Sequence, residues 1–153
     1  MDKSPLSFVQ ELMLPTPLDV VWDFLLNEEE MKGWLKASKF IIDAYEGGEI
    51  EIPITIDGED YLILGDIGLV QPKKRFVFTW REEDARGEIW FNNTTINFGL
   101  QADQAGTKIR FAHEGFNYLP AEIQQTALIR YTNYWESGTL EQLGKLLSEK
   151  QGV

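Results

Sequence analysis

Gly65-Asp66-Ile67-Gly68-Leu69-Val70-Gln71-Pro72-Lys73-Lys74-Arg75-Phe76-Val77-Phe78-Thr79-Trp80 is the stretch that decides the architecture. Apolar residues alternate on both sides of Pro72-Lys73-Lys74, so the stretch reads as two antiparallel strands joined by a tight turn with proline at its second position. Gly65 and Gly68 would weaken a flat ladder but suit a strand that bends as its sheet curls. In the second strand Phe76, Phe78 and Trp80 fall on one face. Trp90, Thr94, Ile96, Phe98 and Leu100 supply a matching face on the next one. Period two holds from residue 38 to 116, with strands expected at 38–43, 48–56, 60–71, 74–81, 88–101 and 106–115. Asp57-Gly58 is a strong hairpin signal, and Asp103 to Gly106 closes the last pair. No helical segment interrupts the run, which argues against a parallel sheet.

On the N-terminal side, Leu6 to Leu14 reads as a strand stopped by Pro15, which has no N–H to give a ladder. A helix is expected at once: Thr16 as cap, Pro17 at the first position, and Asp19 closing a capping box. Asn27 followed by Glu28-Glu29-Glu30 repeats the device for a second short helix ending near Gly33. On the C-terminal side, Pro120 opens a helix running to about Lys150, roughly 45 Å at 1.5 Å per residue. Ile123, Ala127, Tyr131, Tyr134, Trp135, Gly138, Leu143 and Leu147 form its inward stripe, while Gln124, Arg130, Glu141 and Lys145 are expected to stay wet. Gly138 costs helix stability, which fits either a close approach to the sheet or a bend.

The 153 residues suffice for one domain, spanning 1–153. Aromatic residues at 12%, with nine Phe and five Trp, imply a bulky interior or a bulky cavity lining. A formal charge of −11 repels phosphate backbones and anionic membranes, so nucleic acid is not an expected partner. The absence of cysteine removes disulfides, thiolate nucleophiles and thiolate metal sites, and a cytoplasmic location is expected. Met1 to Pro5 carry no leader pattern, and no apolar run has the length of a membrane span.

His113 is the lone histidine and the natural candidate for acid–base work. No pattern places an orienting carboxylate or a nucleophile beside it, so the sequence offers no recognisable catalytic machinery and no expected cofactor. One histidine without cysteine makes no usual zinc site. Glu28-Glu29-Glu30 and Arg81-Glu82-Glu83-Asp84 read as solvated cap and loop residues. No Gly-rich phosphate cradle is present.

The order Pro15-Thr16-Pro17, Trp34, Glu46-Gly47-Gly48, Gly65 to Trp80, and Gly106-Thr107 through His113-Glu114-Gly115-Phe116, followed by the long final helix, resembles the activator of heat-shock protein 90 ATPase homologue (Aha1-like) family. That family belongs to the START and birch-pollen-allergen-like (SRPBCC) superfamily. The resemblance spans roughly residues 8 to 147. It implies an α+β helix-grip fold: a curved antiparallel sheet of six to seven strands wrapped around a long C-terminal helix, with two short helices after the first strand. It also implies an apolar cavity between sheet and helix. At the matching places stand Trp34, Phe78, Trp80, Phe98, Phe111, His113, Phe116, Tyr131 and Trp135. Many relatives have Gly-Trp where this chain has Tyr134-Trp135, a change that adds bulk toward the cavity. The family's ATPase stimulation also depends on a separate N-terminal domain, which these residues are not expected to encode. The implied function is a binding module for a small apolar or aromatic ligand. Alternatives are a chaperone-associated or other protein-binding accessory, and a cyclase- or lyase-type enzyme using His113 and the tyrosines. Burying about 300 Å² of apolar ligand yields roughly 7 kcal/mol against an association cost of at least about 4, leaving only about millimolar affinity. A polar anchor is therefore needed, and Tyr131, Trp135 and His113 are the donors expected to face the ligand.

Overall fold

The computed structural model describes residues 6–35 and 37–150. The N-terminal segment read above for a leader, Met1 to Pro5, lies outside the described residues. One seven-stranded antiparallel sheet has the order β1-β7-β6-β5-β4-β3-β2. Its strands are β1 (Phe8–Leu14), β2 (Ile41–Ile42), β3 (Glu49–Ile56), β4 (Glu59–Gln71), β5 (Arg75–Asp84), β6 (Thr94–Asp103) and β7 (Gly106–Glu114). Helices α1 (Leu18–Leu25) and α2 (Glu28–Leu35) follow β1, and α3 (Ala121–Tyr134) and α4 (Leu140–Ser148) end the chain. This is the expected helix-grip arrangement.

The hairpins follow from turn chemistry. Asp57 and Gly58 both have positive φ (53° and 80°), as a two-residue primed turn requires. At Gln71 to Lys74, Lys73 takes φ 62° and the Lys74 N–H donates to the Gln71 carbonyl at 2.9 Å. The bend of β4 is a bulge between Ile67 and Leu69. Two residues earlier the backbone is so close to β5 that a Cβ on Gly65 would lie 1.9 Å from the Thr79 carbonyl oxygen. The Asp66 N–H, beside it, donates to the Thr79 hydroxyl at 2.8 Å.

Five expectations change. The strand at 38–43 shrinks to Ile41–Ile42. The strand at 88–101 begins only at Thr94, because Asp84 Oδ1 accepts from the Arg86 and Glu88 N–H groups and Gly87 takes φ 86°, folding residues 85–93 into a loop. Thr16 does not cap α1. Pro17 holds the cap position, and the buried Thr16 hydroxyl donates instead to the Leu147 carbonyl at 2.8 Å. The Thr107 hydroxyl donates to the Thr16 carbonyl at 2.7 Å, so this loop ties α4 to β7. The final helix is broken: Trp135–Thr139 forms a π turn in which Gly138 takes φ 118° with nothing within 4 Å of where a Cβ would sit. The glycine therefore serves a bend and not a close approach. The fifth change, the burial of Glu82 and the partial burial of Arg130, belongs to the site. Asn27 does cap α2 as expected, its Oδ1 accepting from the Glu30 N–H at 3.1 Å.

Gly65→Ala is expected to destabilise the fold by about 2 kcal/mol or more, because the added methyl meets backbone rather than a movable side chain. Urea unfolding with an unchanged slope and a lowered midpoint would show this. An unshifted midpoint would mean that the β4–β5 approach relaxes freely.

Candidate functional site

The inward register of β5 generates the site. Phe76, Phe78, Trp80 and Glu82 alternate with half-buried neighbours, so the aromatic face ends in a carboxylate. On the same face of the sheet the neighbouring strands β6 and β7 contribute Phe98, Phe111 and His113, and the helical segments contribute Trp34, Tyr131 and Trp135. All nine residues named from the resemblance, Phe116 included, are at most 2% exposed; eight join one apolar cluster, and the His113 ring packs against four of them. Trp34 stacks on Trp135 with ring centres 5.9 Å apart, and Phe111 meets Trp135 edge-on at 4.8 Å. Trp80 lies 5.7 Å from Tyr131, and Phe98 lies 5.4 Å from Phe111. Phe78 packs 5.3 Å from Phe76, and His113 lies 4.5 Å from Phe116.

His113 sits inside this cluster as a link in a polar chain. The Trp135 indole N–H donates to His113 Nδ1 at 3.1 Å, so the ring proton must reside on Nε2. Nε2 then donates to the Thr94 hydroxyl at 2.7 Å, and that hydroxyl donates to the Trp80 carbonyl at 3.0 Å. Both imidazole nitrogens are thus engaged by protein groups. Complete burial holds the imidazole well below its usual pKa, and it stays neutral.

Glu82 and Arg130 depart from the sequence reading, which left both in water. Glu82 is only 5% exposed. Its Oε1 accepts from the Tyr131 hydroxyl at 2.7 Å and pairs with Arg130 Nη2. Burial raises the Glu82 pKa, opposed by the Tyr131 hydrogen bond and the Arg130 charge. Tyr131 is pushed well above the usual phenol range, first by burial and then by the Glu82 charge. The Arg130 guanidinium also lies 4.8 Å from the centre of the Tyr61 ring. Trp80 Nε1 lies beside the Tyr131 hydroxyl and opposes its shift, but reaches no hydrogen-bond geometry. The missed signal was the alternation itself: continuing 76, 78, 80 by one step gives 82.

In front of the pair opens a cleft of about 360 Å³. The end of β5 and the 85–93 loop supply Glu82, Asp84, Glu88 and Trp90 to it, and α3 supplies Ile123, Thr126, Ala127 and Arg130. None of the nine residues lines it; Tyr131 reaches it only through Glu82. Another groove, of about 460 Å³, lies over β3 and β4 among Asp43, Glu49, Glu51, Asp66 and Arg81, and contains no buried ion pair. Among the described residues, no group of three or more His, Asp or Glu is placed to hold a metal, and no helix is long and apolar enough to cross a membrane.

The model of the activator of Hsp90 ATPase homolog 1-like protein family matches residues 15–148, most of the chain. The chain belongs to that family. Solved structures agree on the fold of this activator-family protein. Protein MLL2253 from Mesorhizobium loti superposes with a TM-score of 0.74 at 20% identity, covering 96% of this chain and 99% of that one. Protein NE0264 from Nitrosomonas europaea gives 0.74 at 21% identity over 100% of both chains. CalU16 from Micromonospora echinospora gives 0.66 at 22%, covering 94% of this chain and 77% of that one. No curated protein matches the sequence.

The buried histidine sets a pH dependence for this family member. Its folded pKa is depressed, so its contribution is complete above the unfolded value of about 6.5 and is lost as pH falls below it, at about 1.4 kcal/mol per unit. Glu82, with a raised folded pKa, works in the opposite sense above about pH 4.5, so the histidine term must be isolated by difference. Wild type should lose stability relative to His113→Gln at about that slope between pH 6.5 and 5. A difference independent of pH would show that the imidazole takes up a proton within the fold.

Proposed function

We propose that this protein is a binding module for a small molecule with an apolar or aromatic body, held between the sheet and the C-terminal helical segment. The observation that carries the reading is the Glu82–Arg130–Tyr131 group at the floor of an open cleft, with Glu82 and Tyr131 buried and Arg130 half-buried. A fold gains little stability from a desolvated ion pair, since an apolar replacement is often as stable, so its placement at an opening favours a recognition role. Trp90, Ile123 and Ala127 supply apolar wall, and the pair supplies the polar anchor that affinity requires. Behind it the nine aromatic and polar residues form the proposed inner lining, closed upon itself in this arrangement and reached through Tyr131.

A second reading, contact with a chaperone of the heat-shock protein 90 type, draws on the family and on an apolar rim beside the cleft. Phe91 is 81% and Tyr118 67% exposed, and the two segments are joined by the Asn92 side-chain amide donating to the Tyr118 carbonyl at 2.7 Å. Because Phe91 also lines the cleft, replacement of Tyr118 alone by serine separates the readings. It should weaken a chaperone contact and spare small-molecule binding.

Thr126→Trp tests the binding reading, because Thr126 lines the cleft from the outer side of α3 and its replacement fills space without entering the core. Wild type is expected to retain a small molecule in native mass spectrometry, or to bind members of an aromatic panel by calorimetry. Thr126→Trp should keep the thermal midpoint within about 2 °C and lose at least about tenfold in affinity. Retention of the same ligand at the same affinity by the tryptophan variant would place the site elsewhere.

A further inference from the structure

We propose that the ligand is an ammonium carried on an apolar body of one or two rings, with its charge set against the free oxygen of Glu82. This specifies the ligand of the cleft described above and rests on the binding reading. Both hydrogen bonds to Glu82 fall on Oε1, so Oε2 accepts none among the described residues. Oε2 is not sealed either: the buried polar atoms that lack a partner are Trp80 Nε1, Arg81 Nε and Arg130 Nε. An oxygen of an almost buried carboxylate that accepts no protein hydrogen bond and is open to a cleft is an acceptor that a ligand's donor can reach.

The charge of the walls selects among donors. Three carboxylates, Glu82, Asp84 and Glu88, line the cleft against the one guanidinium of Arg130. Asp84 stays ionised, held below the usual carboxylate range by the N–H groups of Glu88 and Arg86. The Arg130 charge is already committed to Glu82 and to the ring of Tyr61. An anionic ligand would have to break that pair and face the carboxylates, whereas an ammonium meets a net negative, partly desolvated mouth in a protein of charge −11. A volume of about 360 Å³ is near the lower end for small-molecule sites, and Trp90, Ile123 and Ala127 offer apolar surface for rings rather than a long chain.

The test is a two-dimensional amide NMR titration of the full chain with naphthylethylammonium, naphthylpropionate and naphthylethanol. The ammonium should shift the amides of Glu82, Trp90, Ile123 and Ala127 and bind at least about tenfold more tightly than the carboxylate, as a hydrogen bond to a charged group implies. Glu82→Gln should weaken the ammonium by about tenfold and leave the alcohol unchanged. Should that variant fold poorly, Glu88→Gln offers an exposed position whose side chain holds no hydrogen bond among the described residues, and it should weaken only the ammonium, by about threefold at low salt. If the carboxylate or the alcohol binds at these residues as tightly as the ammonium, the charge selection is wrong and the binding module stands. If none of the three shifts the cleft residues, both readings fall.

Discussion

The chain of hydrogen bonds through His113 is the constraint on which the rest of the interior depends. It runs from the π turn after α3 (Trp135) to β7 (His113), then to β6 (Thr94) and the β5 backbone (Trp80), so four elements distant in sequence share one polar thread. In a low-dielectric interior, each member left unpaired would cost more than its bond contributes. The thread therefore fixes which turn of the final helical segment faces which strand. Apolar packing alone specifies volume and face but tolerates sliding; Trp34, Phe98 and Phe111 could be filled by other apolar shapes. The tautomer of one imidazole gives the register a direction as well, since the bonds close in only one sense.

The Glu82 group has a different character. The thread is closed on itself and needs nothing from outside. The ion pair leaves one carboxylate oxygen uncommitted, beside a guanidinium whose sealed Nε is also unpaired. One polar system is thus complete and the other open, and they lie side by side across Tyr131, whose ring is 5.0 Å from the His113 ring and whose hydroxyl serves Glu82. The first system is satisfied within the protein, and the second keeps one acceptor without a protein donor among the described residues.

The sheet was legible because period two and turn chemistry are local. Asp57-Gly58, Pro72-Lys73 and the alternation from Phe76 to Trp80 each act within a few residues, and each appears as read. The site was less legible, because the rule that charged residues face water is a statement about single residues. The buried Glu82 and the half-buried Arg130 pair across 48 residues, and neither position carries the other's identity in its local pattern. The broken helix escaped for a related reason. Gly138 fits a bend or a close approach equally well until its neighbours are known, and the choice lies in the space around it. Thr16 had the right chemistry for a cap, but its hydroxyl found a carbonyl 131 residues away.

The π turn at Trp135–Thr139 has a consequence for how such a scaffold diversifies. It divides the final helix into two independently supported arms. α4 is anchored by the Thr16–Leu147 hydrogen bond and packs with α1, α2 and β1, whereas α3 carries Ile123, Thr126, Ala127 and Arg130 to the cleft. Because the backbone turns between them, a substitution that re-aims α3 need not be transmitted as torque to α4. On the proposed binding reading, ligand preference and fold maintenance fall to separate stretches of one chain, so that rewriting about a dozen residues of α3 and the 85–93 loop would change specificity while the opposite arm keeps the domain folded.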